Sequence, residues 1–205
     1  MDSLILKIDA TTDLPDDLIA AVVTFLERRD PPDPAIAGAA PAGVGLERLG
    51  GAAAERYLAV YRAIGERWLW FSRLAMPRTA LSALLDDPAV EAFVVTRAGA
   101  DIGLLELDGR AQDETELAFF GLIEREIGGG VGRWMMQEAL RRAFARPIRR
   151  LFVHTCTLDH PGALEFYRRS GFRPYRRAVE IARDPRRNGA LSCEAGSHAP
   201  MLTST

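Results

Sequence analysis

Apolar residues recur along this chain with two different periods, and the points where the period changes mark its elements. Leu4 to Ile8 predicts a short strand. Asp13, Pro15 and Asp16 then read as a helix start, with Leu18, Val22, Phe25 and Leu26 forming one apolar face. Asp30 to Gly45 is rich in Pro, Ala and Gly and predicts an extended connector. Val44 to Leu49 predicts a strand. Two helices follow, one over Ala52 to Ile64 (Tyr57, Val60, Tyr61 and Ile64 at helical spacing) and one over Leu74 to Leu85, stopping before Asp86-Asp87-Pro88. Three strands come next, at Glu91 to Arg97, Ile102 to Leu107 and Glu116 to Ile123, joined by a tight hairpin signal at Ala98 to Asp101 and a longer polar turn. Val131, Met135, Ala139, Leu140, Ala143 and Phe144 then fall at helical spacing, with Arg141, Arg142 and Arg146 at the favourable C-terminal end and Pro147 as the stop. A strand over Arg149 to Thr155, a short helix holding Phe166 to Arg169 and a last strand from Phe172 to Ile181 complete the pattern.

The order predicts an α/β (α+β) fold in which antiparallel strands lead into a βαβ unit. It divides the chain into an N-terminal extension with its connector (residues 1–42), a central domain (43–182) and a polar tail without periodicity (183–205). The extension is expected to pack on the domain or to serve a homodimer contact. At 205 residues and a net charge of −2 there is no basic field, which argues against nucleic acid as partner. The absence of a long apolar run argues against a membrane span, and a basic-then-apolar leader is also missing. Two cysteines support no disulfide framework, making the cytoplasm the expected compartment. No His/Cys/Asp cluster has metal-ligand spacing, so no metal is expected.

Between the strand ending at Ile123 and the helix opening at Val131 lies Ile127-Gly128-Gly129-Gly130-Val131-Gly132-Arg133. So many glycines at a helix start cost helix propensity. What they offer is close backbone approach, with free N–H groups at the positive end of a helix able to wrap phosphate oxygens. Gly132-Arg133-Trp134 lacks the Lys-Ser/Thr of a nucleotide P-loop. The following strand ends near His154 and Asp159, too far along for the ribose-binding acid of a dinucleotide fold.

The loop resembles the pyrophosphate loop of the GNAT superfamily of N-acetyltransferases, Gln/Arg-x-x-Gly-x-Gly/Ala. Gly130 and Gly132 fill the glycine positions, and Ile127 stands where Gln or Arg is usual. Downstream, His160 to Phe172 resembles the superfamily's second motif, Asn-x-x-Ala, then Tyr, then Gly-Phe. Ala163, Tyr167, Gly171 and Phe172 fall in place, and His160 replaces the Asn. The resemblance covers roughly Val90 to Val179 and implies a GNAT-like fold: a mixed, mostly antiparallel sheet flanked by helices, with a βαβ cofactor-binding unit.

It further implies transfer of an acetyl group from acetyl-CoA to the amine of a small molecule, by direct attack in a ternary complex. The backbone of Gly128, Gly129, Gly130, Val131, Gly132 and Arg133 would hold the pyrophosphate, with His160 and Ala163 beside it. The strand edge at Leu122 and Ile123 would pair with the pantetheine amides, and Gly121 suggests a bulge or a close approach. Tyr167 stands where the superfamily's proton donor to the CoA sulfur is often found. Glu116, fourteen positions before Gly130, matches a carboxylate used as base by some members, with Glu106 as its rival. Trp68 and Trp70 are expected to form an aromatic wall for the acceptor or a core anchor, and Arg73 to hold a substrate carboxylate. Against the enzyme stands a non-catalytic acyl-CoA-binding module that keeps the cradle without turnover.

Overall fold

The computed structural model describes residues 5–33 and 38–202. Its elements are β1 (Leu18–Arg28), β2 (Val44–Leu49), α1 (Ala54–Gly65), α2 (Arg78–Asp86), β3 (Val90–Arg97), β4 (Ala100–Asp108), β5 (Glu114–Leu122), α3 (Val131–Ala143), β6 (Arg150–Cys156), α4 (Ala163–Arg169) and β7 (Arg173–Arg183). The strands form one sheet in the order β2-β3-β4-β5-β6-β1-β7. Among the described residues, only β5 and β6 run parallel, joined by the α3 crossover; the other neighbours are antiparallel.

Helices cover both faces. On one, Met135, Ala139, Leu140 and Ala143 of α3 pack on Leu105, Leu107, Leu117, Leu151 and Val153 of the sheet. On the other, Tyr57 and Tyr61 of α1 and Leu81, Leu84 and Leu85 of α2 pack on Ala92, Val94 and Leu104. The hairpin between β3 and β4 turns on Ala98 and Gly99, both at positive φ (49° and 80°), the twist that suits right-handed strands.

Several expectations are corrected. The helix expected over Asp13 to Leu26 is the strand β1. Its helical face required Val22 inside, yet Val22 is exposed while Ala21 and Val23 are buried, the alternation of a strand. β-Branched Val22, Val23 and Thr24 suit a pleated surface, and pairing with β6 on one side and β7 on the other overrides the coincidental spacing. No strand forms over residues 5–8, and Leu4 lies outside the described residues. α2 starts at Arg78 rather than Leu74, because Pro77 disfavours helical backbone at Met76.

The polar segment after Arg183 is anchored, through Asp184 and a neighbouring arginine. Leu191 and Ala195 are buried against Leu69. Arg186, 4% exposed, donates to the Asp184 carboxylate and to the carbonyls of Ala195 and Ala199. A single ion-paired arginine gathering main-chain carbonyls leaves no hydrophobic period in the sequence.

Candidate active site

β5 and β6 pair only through Glu114↔Arg150, Thr115↔Leu151 and Glu116↔Phe152. Beyond Glu116 they part, and the edge of Leu117–Leu122 that faces β6 is left open. The ladder on the other side breaks at Ala118, since Glu106 pairs with Phe119 and Leu107 with Leu117. The bulge is therefore at Ala118 and not at Gly121. A Cβ on Gly121 would lie 2.6 Å from Ile64 Cγ2 and 3.1 Å from Trp70, so that glycine admits core side chains rather than a ligand. The parted strands enclose a cavity of about 420 Å³ reached by Trp70, Glu116, Phe120, His154, Asp159 and Tyr167.

At one end of the opening sits the glycine loop. Gly128 and Gly130 have φ of 91° and 84°, the left-handed region that favours glycine. A Cβ on either would meet no atom within 4 Å, so packing does not require glycine there. Among the described residues, no backbone N–H from Gly128 to Arg133 has a hydrogen-bond partner; the first helical bond is Trp134 N–H to the Gly130 carbonyl, at 3.2 Å. A row of open donors at the N-terminus of the thirteen-residue α3 fits a diphosphate. Ile127 is half-exposed at the rim. Leu122 lines the cavity, whereas the Ile123 N–H is bonded to the Ile102 carbonyl and its side chain packs into the core.

His160 takes over the Asn position structurally. Its Nδ1 accepts from Gly162 N–H at 2.9 Å and its carbonyl from Ala163 N–H at 2.8 Å, fixing the entry to α4. Tyr167 is 7% exposed, ringed by Phe120, Phe166 and Phe172, and lines the cavity. Among the described residues its hydroxyl makes no hydrogen bond. Burial, and secondarily the charge of Asp159, push its phenol well above the usual value.

The two candidate carboxylates separate cleanly. Glu116 is half-buried on the cavity wall, 3.0 Å from Nδ1 of His154. Glu106 is 0% exposed beneath α1, where it accepts from the Tyr57 hydroxyl and from Arg73 Nη2 at 2.5 Å. Arg73 is therefore engaged by Glu106 and lies over the Phe119 ring at 4.8 Å, which corrects its expected role as a free carboxylate clamp. Trp70 is packed as a core anchor and also borders the cavity. Its ring packs on Tyr61 and Phe119, and its indole N–H donates to Asp159 Oδ1 at 3.1 Å on the cavity wall. Trp68 packs against the rings of His160 and His198.

Asp159 entered the sequence reading only as an acid placed too far along for a dinucleotide fold. It also accepts from the Thr155 hydroxyl (2.8 Å) and the Cys156 N–H (2.9 Å), and so ties the end of β6 to the tryptophan wall. Trp70→Phe keeps an aromatic ring but leaves that carboxylate one donor short. A loss of about 2 kcal/mol in urea unfolding is expected, the scale of a hydrogen bond to a charged group. Burial lifts the Cys156 thiol to about 11, which disfavours the thiolate form that a nucleophile needs. Among the described residues, no group of three or more His, Cys, Asp or Glu could hold a metal, and no helix is long and apolar enough to cross a membrane.

No curated protein matches the chain. Solved structures do. A GCN5-related N-acetyltransferase from Sphaerobacter thermophilus aligns with TM-score 0.59 at 18% identity, over 80% of this chain and 52% of that one. One from Kribbella flavida aligns with TM-score 0.54 at 20% identity, over 82% and 60%. The chain thus spans little more than half the length of these two. An aminoglycoside acetyltransferase from an uncultured soil metagenomic sample, in complex with sisomicin, aligns with TM-score 0.51 at 16% identity, over 62% and 87%. At these identities the structures establish a shared fold. The model of the acetyltransferase (GNAT) family matches residues 57–172, which contain the parted strands, the glycine loop and Tyr167. With more than half its length matched, the chain belongs to the GNAT family of acetyltransferases.

Proposed function

We propose that the chain transfers an acetyl group from acetyl-CoA to the amine of a small molecule, by direct attack in a ternary complex. The observation that carries this reading is the meeting of two features at one opening: an unpaired β5 edge and the row of unpartnered N–H groups from Gly128 to Arg133. The first suits the amides of a pantetheine arm, the second its diphosphate. Leu122 belongs to that edge, and His160 and Ala163 shape the opposite wall. Trp68 and Trp70 present aromatic surface on the acceptor side, where a cationic or flat group gains about 0.5–2 kcal/mol. Tyr167 protonates the departing thiolate.

Calorimetry with CoA and an acetyl-CoA consumption assay over a panel of amines test this together. Wild type is expected to bind CoA and to consume acetyl-CoA only when an acceptor is present. Gly130→Val places a β-branched side chain at positive φ in the cradle, and should weaken CoA binding by about tenfold or more, the loss of one or two hydrogen bonds to charged oxygens. The loop lies outside the core, so the stability loss should not exceed the roughly 1–3 kcal/mol of one strained backbone residue, and the variant should stay folded. Unchanged CoA affinity in folded Gly130→Val rejects the cradle; CoA binding without turnover on any amine makes the chain a binding module instead.

A further inference from the structure

The proton that leaves the acceptor amine needs a destination, and the cavity wall offers a pair in place of a lone carboxylate. Glu116 is the last β5 residue paired with β6, opposite Phe152. His154, two residues further along β6 and on the same face, stands where the strands have already parted. The two side chains meet across the gap, Nδ1 to Oε1 at 3.0 Å. On its other side the imidazole packs against Phe25 of β1, ring centroids 5.6 Å apart. Glu116 accepts the Nδ1 proton, which leaves the Nε2 lone pair open. No hydrogen bond among the described residues engages Nε2, and the ring lines the same cavity as Tyr167 and Trp70.

We propose that His154 is the catalytic base that takes the proton from the acceptor ammonium, with Glu116 as the positioning residue that fixes its tautomer and orientation. This rests on the acetyl-transfer reading above. An alkylammonium near pKa 10.4 yields its proton to an imidazole near 6.5 about a hundredfold more readily than to a carboxylate near 4.3. The charged groups acting on His154 are Glu116 from β5, Glu180 from β7 and Asp159 beyond β6, and the thiol of Cys156 lies two residues along its own strand. Arg176 is stacked on the far partner, 3.8 Å over Phe25. The hydrogen bond to Glu116 is the largest influence and raises the imidazole above its ordinary value, against the opposing effect of burial.

Atoms balance as follows. The ammonium N–H bond breaks as Nε2–H forms, and His154 passes that proton to solvent. The freed lone pair bonds to the thioester carbonyl carbon, and the C–S bond then breaks. The thiolate takes a proton from the Tyr167 phenol, which is restored by the second proton the nitrogen loses.

The test is the pH profile of kcat/KM with the best amine of the panel. Wild type should lose activity on the acid side below an apparent pKa above about 6.5, because a protonated imidazole has no lone pair to offer. His154→Gln should lower kcat by about 10²–10⁴-fold and abolish that acid limb, with CoA affinity within about twofold of wild type. Glu116→Gln keeps an oxygen acceptor for Nδ1 and removes the charge, so the limb should remain but move down towards the ordinary imidazole value. The chain has three histidines, so NMR titration of the wild-type rings checks His154 directly even if His154→Gln fails to fold. A kinetic limb that does not coincide with that titration overturns the proposal. So does a limb that vanishes in Glu116→Gln and persists in His154→Gln, which makes the carboxylate itself the base. An amine acetylated equally well by His154→Gln rejects this inference alone, whereas no acetylation of any amine rejects the transfer reading with it.

Discussion

Tyr167→Phe is expected to lower kcat by about 10²–10⁴-fold, the usual range for removing a positioned proton donor, while leaving the fold and CoA affinity nearly intact. The contrast with the other buried tyrosines makes the case. Tyr57 and Tyr61 have their hydroxyls engaged, with Glu106 and with Ser72 and Arg73, so removing either oxygen would break a buried network. The Tyr167 hydroxyl has no such engagement among the described residues, and its ring alone supplies the contacts with Phe120, Phe166 and Phe172. Deleting one oxygen therefore removes chemistry without removing packing. In the proposed reaction the raised phenol would stay protonated until the thiolate forms and then give up its proton in the same event. Turnover with the best acceptor, beside a thermal scan and a CoA titration, measures this. A drop smaller than about fivefold, roughly 1 kcal/mol of barrier, would return Tyr167 to the core.

Glu106→Gln should act in the opposite way, costing about 3–5 kcal/mol of stability. The carboxylate is wholly buried and is the ion-pair partner of Arg73, whose side chain is 15% exposed. Glutamine preserves the volume but leaves a guanidinium in a low-dielectric site with no countercharge, the case in which breaking a buried pair is most damaging. Against a total of about 5–15 kcal/mol for a typical domain, that is a large share. Urea unfolding of Glu106→Gln, Arg73→Met and the double variant measures it. The double variant should recover much of the loss, because no unpaired charge remains. If Glu106→Gln melts like wild type, the pair is decoration. Because Arg73 also lies over Phe119, which packs on Trp70, a weakened acceptor KM in the surviving folded fraction is expected too.

The strands and helices from Val44 to Arg169 were legible because each buries one face and repeats its apolar residues at the matching period. The glycine loop was legible for a different reason: glycine is unfavourable at a helix start unless the backbone itself is used, so its presence there advertises an open main chain. Three things were hidden. The strand character of Leu18–Arg28 was hidden because Leu18, Val22, Phe25 and Leu26 mimic a helical face, and only the gap between β6 and β7 decides against it. Arg73 looked free for a ligand because its partner Glu106 is 33 positions away in another element. The pairing of His154 with Glu116 spans 38 positions, and no local pattern could join them. In each case the missing information is a long-range pairing, which single-sequence periodicity does not carry.

The place of β1 in the sheet has a consequence for how the chain is assembled. When β1 leaves the ribosome, its final neighbours, residues 151–156 and 173–183, have not yet been made. The helices and the β2–β5 meander can form from nearby contacts, but β1 must wait as an unpaired, Val-rich segment until β6 is made. Among the described residues, β7 in turn has β1 as its one strand neighbour. β1 thus precedes both of its strand neighbours in the chain and is placed only once they are made, with β7 pairing on it. Because Ala21 on β1 and Glu180 on β7 both line the cavity, its wall is completed only when these two neighbouring strands have joined the sheet beside β6.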